Sequence, residues 1–410
     1  MCALQLLAGL FAVGLCSGSW DGVKGPGTPH DAVTASGTAR VLNSMFVDFG
    51  MASGFSQAQW AQQLAAMKAI GIRSITVAHM AYGFPWNASD PCFAAPHYGR
   101  YTVFYPTKAN QCVAARAHSP GLRPLLAAAA ANSMAVHIGL ANIVSKPGVG
   151  HFIFNDTAGW RDFTAMQVQM LHELWHLYGN EFSQVIAGIY TVLESANCSP
   201  LHTAPEYTAY LGALSRAAHS CTPHLKVWAS PAFRDDSVWK TNWGKSRSPM
   251  CKSTLTPAEW GQDWEEKFRR LPGLAFVAPQ DGRGSWNSPT LAASYLHLIE
   301  TAHKRTGRAY GVNLESFTVA GNNATLGHPG RETCANRMPT GWAKFHGQLG
   351  AEASAAGGMV TSWEWFWSWD AAADICKSAG VAVERRHSER STMLLANYSA
   401  YVNPVGRRDS

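Results

Sequence analysis

Eight short apolar runs recur along this chain, and amphipathic stretches of helical spacing separate them. The runs begin at Met45–Phe49 and continue through Ser74–Met80, Ala135–Ala141, Val185–Leu193, Leu225–Ala229, Leu274–Ala278, Ala309–Leu314 and Met359–Trp367. The first intervening stretch, Ser56–Ile70, shows the logic. Trp60, Leu64, Met67 and Ile70 repeat at helical spacing, Ser56 is an N-cap type, and Gly71 is a stop. Further helices are predicted at Leu122–Met134, Trp160–Tyr178, Pro205–Ser220, Pro257–Leu271, Thr290–Thr306, Arg337–Ala356 and within Val381–Asn397. Strands separated by helices become parallel neighbours through right-handed crossovers. Eight such units predict an α/β fold, a single (β/α)8 TIM barrel with long βα loops spanning 44–400. A doubly wound open sheet is the competing arrangement. It lacks the Gly-rich phosphate loop, because Asp48-Phe49-Gly50-Met51 follows the first strand.

The flanks read differently. Ala3–Leu15 is apolar apart from Gln5, and Cys16-Ser17-Gly18 offers small residues, so residues 1–18 are expected to be a signal peptide. A Gly/Pro/Thr-rich lead (19–43) and a basic tail (401–410) bracket the barrel. Sequons at Asn87, Asn155, Asn197, Asn323 and Asn397 extend the expectation to a secreted or lumenal, N-glycosylated protein. Seven cysteines follow the leader. Cys92–Cys112 is expected as a local bridge, Cys198–Cys251 and Cys334–Cys376 as longer ones, and Cys221 as the remaining thiol. The charge balance, 33 − 27 = +6, is scattered without a basic stripe, which argues against a nucleic-acid partner. No segment is long and apolar enough to span a bilayer, and a monomer is expected.

Barrels of this kind carry chemistry at the C-terminal ends of their strands. Those ends deliver Asp48, His79 with Tyr82, Asn142, Glu194, Ser230 with Arg234, Gln280 with Asp281, Glu315, and Glu364 within Ser362–Asp370. Glycosidic cleavage commonly needs two carboxylic groups, one protonating the leaving oxygen and one attacking carbon or activating water. Glu194 and Glu315 are the pair predicted here. About 5–5.5 Å between them gives retention and about 6.5–9.5 Å inversion. The acid should be the less solvated, because it must stay protonated. Asp281 and Glu364 are the substitutes. Asp48, His79, Tyr82, Asn142, Gln280, Asp281, Asn313, Trp363, Glu364 and Trp365 are the expected substrate contacts. Sixteen tryptophans suit a saccharide cleft, since sugar rings stack their C–H faces on indoles. Aromatics of the insertion after the second strand, Tyr82 to Tyr105, are expected to wall it. If Trp363 and Trp365 face the barrel they form its floor; if Glu364 does, it belongs to the site.

The placement of Glu194 and Glu315 resembles that in the retaining glycoside hydrolases of clan A, whose acid/base ends strand 4 and whose nucleophile ends strand 7. That clan usually has Asn before the strand-4 Glu, where this chain has Leu193. A nearer resemblance rests on three elements: Trp60-x-x-x-Leu64-x-x-Met67-Lys68-x-x-Gly71-Ile72, Ala278-Pro279-Gln280-Asp281-Gly282-Arg283-Gly284 and Asn313-x-Glu315-x-Phe317. Together they look like a domain-of-unknown-function family of glycoside-hydrolase-like barrels, across about Met45 to Asp370. The resemblance implies a carbohydrate-active barrel; no cofactor is expected. Two other readings compete: a non-catalytic carbohydrate-binding barrel, and a zinc hydrolase built on His172, Glu173 and His176, which carry H-E-x-x-H on the third helix. No G-x-S-x-G elbow supports serine chemistry.

Overall fold

The computed structural model describes residues 41–83, 92, 101–108, 112–116, 121–142, 157–195, 197–199, 204–233, 253–284, 287–319, 337–351, 358–369 and 385–402. The leader, most of the lead and most of the basic tail fall outside them. Residues 35–410 form one compact unit. Its eight barrel strands are β1 (Ser44–Val47), β2 (Ser74–Val77), β3 (Ala135–Gly139), β4 (Ile186–Thr191), β5 (Lys226–Ala229), β6 (Leu274–Val277), β7 (Val312–Glu315) and β8 (Val360–Trp363). Its principal helices are α1 (Gln57–Ala69), α2 (Arg123–Asn132), α3 (Thr157–Leu174), α4 (Pro205–Cys221), α5 (Pro257–Arg270), α6 (Pro289–Thr306), α7 (Trp342–Ala351) and α8 (Arg385–Val402). The chain is a (β/α)8 barrel.

Strands β1 to β6 run parallel in sequence order, and β7 pairs with β8. Backbone bonds join the two sheets: Gly311 N–H donates to Val277 O at 3.2 Å, and Asn313 N–H to Pro279 O at 2.9 Å. The last seam is sewn largely by Asn43. Its N–H donates to Val360 O at 3.0 Å, its Nδ2 to Gly358 O at 2.8 Å, and its Oδ1 accepts from Val360 N–H at 2.9 Å.

Local signals explain where the helices begin and end. Ser56 and Gln59 form a reciprocal capping box on α1, and Thr256 and Glu259 do the same on α5. Pro257 and Pro289 occupy first-turn positions, where a missing N–H costs nothing. Gly307 ends α6 in the left-handed region at φ +67, which a side chain would strain. Two predicted elements change. β8 stops at Trp363, and Trp365–Ser368 turn into a short helix with Trp369 N–H on Trp365 O at 2.9 Å. The stretch before α7 is not helical: Arg337–Pro339 pair antiparallel with Phe317–Val319. Pro339 lacks the N–H that a helix interior would use.

Alternation along the strands separates two cores. Outward-facing Val47, Ile75, Val77, Val136, Ile138, Ile189, Val227 and Leu314 pack beneath the helices. Inward-facing Phe46, Ala78, Tyr190, Val192, Trp228, Phe276, Ala278 and Met359 plug the barrel, with Trp363 against them. Trp228 stacks on Phe276 at 5.4 Å and lies 4.8 Å from Tyr190, while Phe46 lies 4.9 Å from Trp363. The Trp228 indole N–H donates to His137 Nδ1 at 3.2 Å, so that ring nitrogen is the acceptor.

The cysteine expectations resolve in part. Cys92 and Cys112 form a disulfide with Cα atoms 5.6 Å apart. Cys221 is a thiol whose sulfur lies 3.5 Å from His172 Nδ1. The Cys198 side chain, Cys251, Cys334 and Cys376 lie outside the described residues. No helix among the described residues is long and apolar enough to cross a membrane.

Candidate active site

The aromatic plug closes the barrel below the strand ends, so polar groups above it line a mouth. Their positions follow from parallel register: all eight strands end on one side. On the β1–β2–β8 side, Asp48 follows β1 and caps the turn at Phe49–Ala52, its Oδ1 accepting from Gly50 N–H at 2.9 Å. Its own N–H donates to Glu364 Oε1 at 2.7 Å. His79 Nε2 lies 3.8 Å from Asp48 Oδ1. Burial lowers the His79 pKa, opposed by the Asp48 charge and a bond to the Ala78 carbonyl. Glu364 is fully buried and follows β8.

The β5–β6–β7 side is denser. Gln280 Nε2 donates to Ser230 O at 3.1 Å, and Asn313 Nδ2 to Ser230 Oγ at 3.0 Å. Glu315 ends β7 and is 4% exposed. Its Oε2 accepts from Gly284 N–H at 2.7 Å, and its backbone N–H donates to Asp281 Oδ1 at 3.0 Å. Asp281 itself is 0% exposed, with Oδ1 also accepting from Arg283 N–H at 3.2 Å and Oδ2 from Gln348 Nε2 at 2.6 Å. Only glycine fits at 284: a Cβ there would lie 2.8 Å from Glu315 Oε2 and 2.7 Å from Phe317 O. Gln348, on α7, was not among the residues the sequence suggested. No local pattern announces a contact across 67 residues.

Glu194 stands three residues beyond β4 and is exposed. Its charge is nonetheless felt inside the barrel: Tyr190 is pushed well above its usual pKa, first by burial and then by Glu194. The solvation contrast therefore reverses the expectation for an acid at Glu194, since Glu315 is the buried member. Its neighbours Leu193 and Ser195 are buried on either side of it.

Other expectations are corrected. Trp363 faces the barrel and joins its floor, but Trp365 does not. It lies in the outer core at 2% exposure, and its indole N–H donates to Gln63 Oε1 on α1 at 2.7 Å. The short helix after β8 breaks the alternation that would have put both on one face. Asn142 is half-buried after β3. Tyr82 belongs to the strand Ala81–Gly83, and its side chain lies outside the described residues. Tyr101 and Tyr105 are buried rather than lining a cleft wall. Tyr105, Thr107 and Lys108 instead grip Glu173: Thr107 Oγ1 donates to its Oε2 at 2.6 Å, and Lys108 N–H to its Oε1 at 2.9 Å. Glu173 thereby anchors the insertion to α3. The π-turn Trp175–Gly179 takes His176 out of the α-helical register of His172. Glu173 of the H-E-x-x-H pattern is thus taken up by the insertion, and no group of three metal-ligating side chains occurs among the described residues. The sequon at Asn197 is also structural. Its buried amide donates to Tyr295 Oη at 2.7 Å, leaving no room for a glycan.

The molecule is thus a (β/α)8 barrel with carboxylates at its strand ends. The chain belongs to the family described as a domain of unknown function, DUF4434, which matches residues 45–365. Among solved structures, a candidate alpha-L-fucosidase from Bacteroides thetaiotaomicron VPI-5482 is 14% identical with a TM-score of 0.61, covering 93% of this chain and 99% of that one. The exo-beta-1,4-mannosidase Op5Man5 from Opitutaceae bacterium strain TAV5 is 12% identical with a TM-score of 0.45, covering 89% and 59%. An endo-1,4-beta-mannanase from Rhizomucor miehei is 13% identical with a TM-score of 0.40, covering 81% and 88%. At these identities the likeness is one of fold. No curated protein matches in sequence.

Proposed function

We propose that the protein is an exported glycoside hydrolase that cleaves an oligo- or polysaccharide with retention of configuration. The observation that carries this reading is Glu315, a buried carboxylate at the end of β7 that receives the Gly284 N–H. A donated N–H favours the ionised form, which a nucleophile needs. Glu315 attacks the anomeric carbon while Glu194 gives its proton to the leaving oxygen. The C–O bond to the aglycone breaks, and a glycosyl ester forms on Glu315. Glu194, now a carboxylate, takes a proton from water as that water attacks the same carbon, and Glu315 leaves as carboxylate. A bound sugar would cover the exposed Glu194 carboxyl, the change of surroundings that a working acid uses. Trp363 and the aromatic plug form an apolar floor for a sugar face. Asp48, His79, Asn142, Gln280 and Asn313 supply hydrogen-bonding groups around it, and the fully buried Glu364 holds the Asp48 N–H from behind. Export rests on the apolar leader and the Cys92–Cys112 disulfide.

A panel of 4-nitrophenyl glycosides and natural glycans tests the reading. Turnover by the wild-type protein, its loss in Glu315→Ala, and its recovery as a glycosyl azide on adding azide are the expected results. A glycan that binds equally to wild type and Glu315→Gln without ever being cleaved would identify a binding barrel instead.

A further inference from the structure

Asp281 was a candidate for touching substrate, yet its surroundings leave it nothing to touch substrate with. It is 0% exposed, and both carboxylate oxygens are occupied from within the protein. One oxygen takes the backbone N–H groups of Glu315 and Arg283, the other the side-chain amide of Gln348. The same Gln348 nitrogen reaches Glu315 O at 3.2 Å. Gln348 is itself 0% exposed, and its Oε1 makes no hydrogen bond among the described residues. The N–H, the C=O and the side chain of Glu315 are thus each held, by Asp281, Gln348 and Gly284 in turn. The loop that supplies two of these three is fixed as well. Asn287 Nδ2 donates to Asp281 O at 3.0 Å, Asn287 N–H to Gly282 O at 2.8 Å, and Lys344 Nζ to Arg283 O at 2.6 Å. Gly282, at φ +64, makes the turn that returns the chain toward Glu315.

We infer that Asp281 and Gln348 are positioning residues, a two-residue brace that sets the Glu315 carboxylate for attack and contacts no substrate. The inference rests on the proposed role of Glu315. A nucleophile must be held near its attack geometry, and a misplacement of about 1 Å can cost about 10²-fold in rate. Asp281 supplies the acceptor at the strand end, and Gln348 carries the constraint back to α7.

The test compares Asp281→Ala, Asp281→Asn and Gln348→Leu by single-turnover trapping. The probe is the 2-deoxy-2-fluoroglycosyl fluoride of whichever 4-nitrophenyl glycoside the wild type cleaves. The stoichiometry of trapping counts competent sites, and its rate constant reports positioning at each site. Asp281→Ala is expected to trap near-stoichiometrically but about 10²-fold more slowly, and Gln348→Leu about 10-fold more slowly, both with KM within about threefold of wild type. Asp281→Asn keeps an acceptor for Glu315 N–H, and Gln348 can turn its Oε1 to the new amide. It should recover to within about tenfold of wild type. A normal rate per trapped site with fewer sites would make the pair merely structural. A raised KM at unchanged kcat would make Asp281 a substrate contact. Either result overturns the inference. If Asp281→Ala does not fold, the Asn and Leu variants decide. If the wild type cleaves and traps nothing, the functional reading fails by itself, and amide exchange at Glu315 judges the brace: at least tenfold faster exchange in Asp281→Ala or Gln348→Leu supports it, and unchanged exchange refutes it.

Discussion

On the β6–β7 side of the mouth, Glu315 is held through its N–H, its C=O and its carboxylate, inside a loop whose own turns are tied down. On the β4 side, Glu194 stands in solvent beyond the last ladder bond of its strand. In the proposed mechanism the contrast is a division of labour. An attacking group must be in place before substrate arrives, so the protein fixes it with buried hydrogen bonds. A proton donor needs a changing environment, raised in pKa while it protonates and lowered afterwards, and solvent exchanged for sugar provides that change.

The sharpest way to break the comparison is to remove each carboxylate. Glu315→Ala should lower kcat at least roughly 10³-fold on every cleaved substrate, because covalent catalysis loses its nucleophile. Glu194→Ala should lose about 10²- to 10⁴-fold on glycosides with poor leaving groups and far less on 4-nitrophenyl glycosides, whose leaving group needs little proton assistance. Equal losses on both substrate types would remove Glu194 from the acid role. Gly284→Ala probes the fixed side by crowding alone. The new methyl must displace Glu315 Oε2 or the Phe317 carbonyl, and kcat should fall about tenfold to 10²-fold while Glu194-dependent leaving-group sensitivity persists.

The smallest effect concerns stability and again singles out the fixed side. His303 on α6 donates Nδ1–H to Ile299 O at 2.7 Å, and its Nε2 accepts from Val277 N–H on β6 at 3.3 Å. Burial, with help from the Arg308 charge and against the Ile299 bond, holds its pKa down at about 4. The folded state therefore disfavours the proton that the unfolded chain accepts near pH 6.5. Its contribution is complete above about pH 6.5 and is lost as pH falls toward 4, by about 3 kcal/mol in all. Urea unfolding at pH 7.5 and pH 4.5 measures the slope, and His303→Gln should flatten part of it. An unchanged slope would show that other groups dominate.

Much of the scaffold was legible because its signals are local. Trp60, Leu64 and Met67 mark one helix face, Ser56 with Gln59 starts it, and Gly71 at φ +93 ends it. The position of Glu315 and Glu194 at strand ends was also legible, since it follows from counting strands. What could not be read is how each is surrounded. Gln348 meets Asp281 only after α7 docks against the β6–β7 edge. Trp363 and Trp365 look alike in sequence, and a single turn after β8 sends one to the floor and the other to Gln63. The H-E-x-x-H pattern and the Asn197 sequon fail for the same reason. A motif specifies side chains, whereas burial and partners decide what those side chains do, as Glu173 and Tyr295 show here.

Asn43 has a consequence for how the barrel is made. Its three bonds to residues 358 and 360 span more than 300 positions, and Leu42 N–H reaches Tyr398 Oη at 2.6 Å. During synthesis the outer edge of β1 must wait, exposed, until β8 has been made. Six strands can assemble in order meanwhile, but closure is the longest-range event in the fold and belongs to its slow steps. A chain truncated before β8 would keep an unpaired β1 edge, ready to pair with another copy. The first strand's partner is thus the last one made, and the barrel can close only around a chain that already contains β8.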